Sequence, residues 1–302
     1  MTRRESIATL GSGALTLGIQ SCANPRGLGD RLAICSETFQ EADFAKSCQL
    51  AYAIGYRGIE VDPSTLAGDP TALSVSQRKD LRRSISDSGL EYVGLHNALK
   101  SKDLNLHITT PDNALRTRSW DYFRRLVDLA ADLGPDPVIV LGSGKQRNAI
   151  DGVSASEARK RVAEGLAELA PHAGERSVTI LLEPLAPHLS NIFHTLAEVS
   201  EVVESIASPA IQTIFDTHNT AAETESIDVL VLNYRSVIRH VHVNEMDGSY
   251  PGKHDYPFAE LFAALEANRY PHWVSVEVFQ FEPSGPEVAR LAFEHLRERA
   301  GS

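Results

Sequence analysis

The run RHVHVNEMDG, Arg239 to Gly248, sets two histidines two residues apart in an apolar context and then breaks into Asn, Glu, Asp and Gly. Side chains two apart share one face of a β-strand. His240, His242 and Asn244 therefore point one way, and Val241 and Val243 the other. Three more apolar runs end in the same manner. VTILLEP puts Glu183 on the face of Thr179 and Leu181, IQTIFD puts Asp216 with Gln212 and Ile214, and HWVSVEV puts Glu277 with Ser275. Such a polar face is either a buried hydrogen-bonded network or a working site. Three carboxylates aimed at one point repel and force protonation, and a divalent cation removes the conflict. Three carboxylates with a single imidazole suit Mn²⁺ foremost, then Co²⁺ or Mg²⁺, rather than a structural zinc, which prefers thiolates. His242, nearer the strand's end, is the better ligand. His240, one pleat deeper, reads as a core or supporting histidine.

From about residue 31 the chain alternates short apolar runs with longer amphipathic ones. The strand candidates, in order, are RLAICS, RGIEV, LEYVGLH, DPVIVLG, VTILLEP, IQTIFD, VIRHVHV and HWVSVEV. Helical spacing of apolar residues marks WDYFRRLVDLAADLG, SEARKRVAEGLAELAPHAG, FAELFAALEANR and EVARLAFEHLRER. Eight βα units with nearly continuous apolar strands predict an α/β fold of the (β/α)₈ TIM-barrel type, a single domain over residues 31–302. A doubly wound open sheet is the alternative, but no glycine-rich dinucleotide fingerprint follows the first strand. Barrels carry their chemistry at the C-terminal ends of the strands, where Glu183, Asp216, His242 and Glu277 fall. NALKSKDLNLHITTPDNALRTRS and GSGKQRNAIDGVSAS read as insertions over the barrel mouth.

The motifs LLEPL, FDTHN, HVHVNEMDGSYPGKHDYPF and VSVEVF resemble the xylose isomerase-like TIM-barrel superfamily, in its sugar-phosphate isomerase/epimerase branch, over roughly residue 31 to the C-terminus. That branch includes ketose 3-epimerases of the tagatose/psicose type. The resemblance implies metal ligation by Glu183, Asp216, His242 and Glu277 and chemistry through an enediolate, with Glu183 and Glu277 as an acid/base pair. Two bases on opposite faces give epimerisation; one base on a single face gives aldose–ketose isomerisation. The likeness has gaps. Where the epimerases place a substrate-binding His, a Glu and an Arg, this chain has Asn219, Leu189 and Gly248. The metal chemistry carries over more directly than the substrate.

Other mouth residues are candidates for holding a small carbohydrate substrate. Glu60 ends the second strand and His96 the third; Glu60 would orient His96 or a substrate hydroxyl. Lys145 and Arg147 follow the fourth strand and would hold a phosphate, a carboxylate or sugar hydroxyls. His188 and Asn191 lie in the loop after the fifth strand, and His218 and Asn219 after the sixth. Glu245 and Asp247 read as loop-shaping, and Trp120 as packing.

The whole-chain properties narrow the function. A net charge of −11 over 302 residues is wrong for a nucleic-acid groove. That charge and the sparse ligands, where such enzymes need several histidines for their metal cluster, also argue against a multi-zinc hydrolase of the apurinic endonuclease kind. The start of the chain, with Arg3–Arg4 before a weakly apolar run to Ile19, reads as a twin-arginine export signal over residues 1–22. IQSC at Cys22 resembles a lipoprotein cleavage box, so a lipid anchor and a periplasmic or membrane-anchored location are expected. Neutral sugars or oxidised glycosides then fit better than sugar phosphates. Cys35 and Cys48 are too few for a disulfide framework and are expected to be buried thiols. Self-association is compatible with all of this. A metal-dependent isomerase or epimerase leads the readings. A dehydratase of the inosose or dehydroshikimate kind on the same site, or an exported sugar-binding protein without turnover, follows.

Overall fold

The computed structural model describes residues 27–101 and 103–300. The segment read as an export signal, with Arg3, Arg4 and Cys22, lies outside them. Among the described residues eight parallel strands close into one barrel in chain order. They are β1 (Leu32–Cys35), β2 (Gly58–Val61), β3 (Glu91–Leu95), β4 (Val138–Leu141), β5 (Thr179–Leu182), β6 (Ile211–Asp216), β7 (Ile238–Val243) and β8 (Val274–Val276). Each falls within its predicted run. The helices outside are α1 (Phe44–Ile54), α2 (Val75–Ser88), α3 (Asn113–Leu133), the short α4 (Gly144–Arg147), α5 (Ala155–Glu175), α6 (Leu196–Ile206), α7 (Ile227–Tyr234), α8 (Phe258–Ala267) and α9 (Gly285–Arg299).

The core has two layers, and alternation along the strands sorts residues between them. Ile180 and Leu182, Phe215, Val241 and Val243, and Val274, Val276 and Val278 join the large cluster under the helices. Ala33, Val93, Val138, Val140, Leu181 and Ile214 form a separate small cluster inside the barrel, with Trp273 packed against it. This apolar plug fills the lower barrel, so the polar residues one pleat higher stand on a dry floor. Both thiols, Cys35 and Cys48, are free and buried.

Two predicted boundaries shift. The helix expected from Trp120 begins at Asn113, because the Asp112 carboxylate accepts from the backbone N–H groups of Ala114 and Leu115 and starts the helix early. The insertion after β3 therefore ends sooner than the sequence suggests. What remains is pinned to the loop after β4: Ile108 N–H donates to Gln146 O, and the Thr109 hydroxyl to Asn148 O. Trp120 packs beside Phe123, ring centroids 6.0 Å apart, as its helical setting suggested.

Barrel closure also demands close approach between strands. Gly94 pairs with Val138 across β3 and β4, and a Cβ at position 94 would sit 2.1 Å from the Val138 carbonyl oxygen. That neighbour is backbone in a hydrogen-bonded ladder and cannot move aside cheaply. Gly94→Ala is expected to lower stability by about 1–3 kcal/mol, the usual cost of overpacking. Urea unfolding of the two proteins measures this, and equal midpoints would show that the ladder accommodates the methyl group.

Candidate active site

Glu183, Asp216, His242 and Glu277 each offer one ligand atom, and these atoms lie within 4.8 Å of one another. Their strands explain the convergence. Asp216 is opposite His242 in the β6–β7 ladder, and His242 is opposite Ser275 in the β7–β8 ladder, two residues before Glu277. Glu183 directly follows β5. All four are buried, none more than 6% exposed. Glu183 and Glu277 come from the outer strands of this set, with Asp216 and His242 between them.

The backbone makes room for this and then locks it. A Cβ at Gly142, just past β4, would lie 1.7 Å from Glu183 Oε2, so only glycine leaves the carboxylate its place. Asn219 Nδ2 donates to both Asp216 Oδ2 at 2.6 Å and Glu183 Oε1 at 3.2 Å, while its own Oδ1 accepts from Ala186 N–H. His218 N–H donates to Asp216 Oδ1 at 2.9 Å. Asn244 Nδ2 donates to the Glu277 carbonyl, and the Thr217 hydroxyl bonds back to Asn244.

The electrostatics are those of crowded carboxylates. Burial raises the Glu183 carboxyl well above its ordinary range, and the nearby Asp216 and Glu277 charges add to this. Asp216 is raised by burial and by Glu277. Burial opposes the charged form of Glu277 too, but His242 and His96 outweigh it and lower the group. His242 is raised well above its usual value despite burial, because Glu60 and Glu277 flank it. Its Nδ1 lies 3.0 Å from Glu277 Oε2 but off the hydrogen-bond direction, leaving this buried nitrogen without a hydrogen-bond partner. A donor set of three carboxylates and an imidazole nitrogen, gathered in one buried space, fits a divalent cation of the oxygen-preferring kind.

The supporting residues differ in part from the sequence-based assignment. Glu60 was expected to meet His96 or substrate; it does lie beside His96, but it is fully buried beneath the cluster rather than open to substrate. Its carboxylate lies 2.8 Å from His240 Nε2 and 3.1 Å from His242 Nε2, and 3.8 Å from His96 Nδ1. Through His242 Nε2 it fixes which ring nitrogen faces the other ligands, the familiar carboxylate–histidine arrangement around metal-binding imidazoles. His240 is the supporting histidine expected.

Arg147 was assigned to substrate, but it is wholly buried and turned into the fold. Its guanidinium donates to Leu141 O at 3.0 Å and Glu183 O at 2.5 Å, tying the ends of β4 and β5 together. A cation placed in a mouth loop looks like an anion site in sequence; here two backbone carbonyls claim it. Lys145, on the same short helix, is exposed. Asn191 instead braces the loop after β4 through Ala149. Glu245 accepts from the N–H groups of Gly252, His254 and Tyr256 and shapes its loop, as expected.

His96 is buried at the mouth, with Nε2 2.7 Å from Glu37 Oε1 and 3.9 Å from Glu277 Oε1. Burial works against its charge, but Glu37, Glu60 and Glu277 raise it to about 10. His188 is exposed, its ring 5.9 Å from that of His218, which is 5.3 Å from Phe279. These three rings form one side of the mouth. Glu37, Asp62, Lys100 and Phe279 were missed in the sequence. Glu37 and Asp62 lie two residues beyond β1 and one beyond β2, where the strand-end rule that found Glu183 could have found them.

Residues 48–299 match the xylose isomerase-like TIM barrel, and the chain is a member of that family. The fructoselysine 3-epimerase of Shigella flexneri is 24% identical over 260 residues, covering 82% of this chain and 90% of that one. Among solved structures, D-psicose 3-epimerase from Clostridium cellulolyticum H10, determined with D-tagatose, superposes with a TM-score of 0.78 at 19% identity, over 90% of this chain and 100% of the other. The 3-keto-D-glucoside 4-epimerase of E. coli gives 0.76 at 19% identity, over 89% and 99%.

The role of Glu60 is open to test. Removing one partner of a buried, hydrogen-bonded charge pair strands the other, at about 3–5 kcal/mol. Glu60→Ala is expected to lose that much in urea unfolding, and Glu60→Gln less, since the amide keeps one acceptor. A Glu60→Ala protein as stable as wild type would show that His240 and His242 do not depend on it.

Proposed function

We propose that this protein is a divalent-metal-dependent sugar epimerase or isomerase. It would remove a proton from a carbon next to a carbonyl and return one. The observation that carries this reading is the convergence of Glu183, Asp216, His242 and Glu277, with the two glutamates on the outer strands of the set. The family and the sugar-epimerase activities of its relatives support it. All four side chains would hold the cation, Mn²⁺ before Co²⁺ or Mg²⁺. Bound there, a divalent cation supplies Lewis-acid polarisation of the substrate carbonyl.

The chain's own residues do the rest. Glu277 accepts the proton as the C–H bond breaks, and the electron pair moves onto the carbonyl oxygen to give an enediolate. As the oxygen's electron pair returns to re-form the carbonyl, the C=C pair takes a proton from Glu183 on the other side, forming the new C–H bond with inverted configuration. Glu277 ends protonated and Glu183 ionised, and exchange with water resets both. Asn219 keeps Glu183 and Asp216 in place through its side-chain amide, and His96, paired with Glu37, stands beside Glu277. The substrate is a ketose or oxo-sugar. If the leading segment exports the chain, as its twin arginine suggests, the substrate is a neutral sugar rather than a phosphate.

The test is incubation with ketoses and oxo-sugars in D₂O with Mn²⁺ present. Deuterium should enter at the carbon next to the carbonyl, with the epimer as product. Glu183→Gln and Glu277→Gln should each lower the rate by about 10²–10⁴-fold, the usual worth of a positioned acid or base. Loss of water with formation of an enone would assign a dehydratase instead. No exchange in any sugar, with metal bound, would overturn the reading in favour of a binding protein.

A further inference from the structure

Beside the four-residue centre, a cavity of about 680 Å³ runs across the ends of β1, β2, β3 and β8. It starts at Val278 and Phe279, directly after Glu277, and its floor includes Glu37, the partner of His96. No residue proposed above as a metal ligand lines it. We infer that this cavity is a second subsite that receives the aglycone or second ring of a glycoside, while the oxidised sugar sits among Glu183, Asp216, His242 and Glu277. The inference rests on the sugar-epimerase reading and names the class of substrate.

Three features point to such an occupant. The walls are aromatic and accessible: Phe44 and Phe281 are half-buried and Phe279 is 49% exposed. An aromatic ring left open beside a polar floor offers an apolar face to a sugar ring or an aryl group. The floor carries no unbalanced charge, since Asp62 is met by Lys100 at 3.0 Å and Glu37 by His96 at 2.7 Å. A phosphate or an amine would upset that balance; a neutral, hydroxyl-bearing group would not. Finally, Glu37 Oε2 is buried and has no hydrogen-bond partner, and so presents a free acceptor to a hydroxyl. The volume lies within the roughly 300–1,000 Å³ that enclose drug-sized ligands.

Calorimetry with phenyl β-glucoside and with glucose tests the subsite independently of turnover, in wild type and in Phe279→Ala. A stacked ring is expected to make the glycoside bind about tenfold tighter than glucose, and Phe279→Ala should bring the ratio close to one. Phe281→Ala, a second variant on the same wall, should shift the ratio the same way. In parallel, D₂O exchange should favour a 3-oxo-glucoside over the free oxo-sugar in kcat/KM by a similar factor. Glycoside preference that disappears in the variants, with no exchange in any sugar, keeps the subsite and sinks the epimerase reading. Exchange with free ketose but equal binding of glycoside and glucose overturns the subsite alone.

Discussion

Burying Glu183, Asp216 and Glu277 within one small space is the constraint around which the upper barrel is organised. Like charges in a dry interior are unfavourable unless they are neutralised, hydrogen-bonded or joined by an opposite charge. The protein answers in several ways at once. Burial raises Glu183 and Asp216, so those groups tend to keep their protons, while His242 and His96 hold Glu277 in its ionised form. The same crowding thus pushes the two glutamates in opposite directions, Glu183 up and Glu277 down.

That electrostatic arrangement requires fixed backbone. The strand ends fix the four Cα positions, Gly142 clears the volume for the Glu183 carboxylate, and Arg147 ties Leu141 O to Glu183 O so that the β4 and β5 ends move together. Asn219 bridges two of the carboxylates, and Glu60 supports His242 from below. The apolar plug of Ala33, Val93, Val138, Val140, Leu181 and Ile214 gives this polar layer a floor. A shift in any of these would be felt at the cluster, because packed interiors transmit strain rather than absorb it.

Much of this was legible in the residues themselves. Period-two alternation in VTILLEP, IQTIFD, VIRHVHV and HWVSVEV assigned the inward faces, and the barrel follows from eight such runs alternating with amphipathic ones. Strand-end position then picked out the four converging side chains. The supporting residues were harder to read for a definite reason. The direction in which a loop side chain turns depends on contacts far along the chain, and Arg147 meets Glu183 O 36 positions away. Glu60 reaches His240 and His242 across the barrel, at separations of 180 and 182 residues. Helix α3 starts early because of a single cap, Asp112, that hydrophobic spacing does not register. Asn219 read in sequence as a substrate-binding candidate at a position where the epimerases have a His; in three dimensions it holds two of the carboxylates.

The central claim is that side chains from β5 to β8 form one site for a divalent cation, and titration calorimetry with Mn²⁺ tests it most directly. The account predicts one ion per chain, with affinity that rises with pH, since the Asp216 carboxyl is raised and must give up its proton for the ion to enter. Glu183→Gln and His242→Ala should each weaken binding by at least about tenfold. A folded wild-type protein that takes up no Mn²⁺, Co²⁺ or Mg²⁺, or one whose affinity is unchanged in both variants, would contradict it.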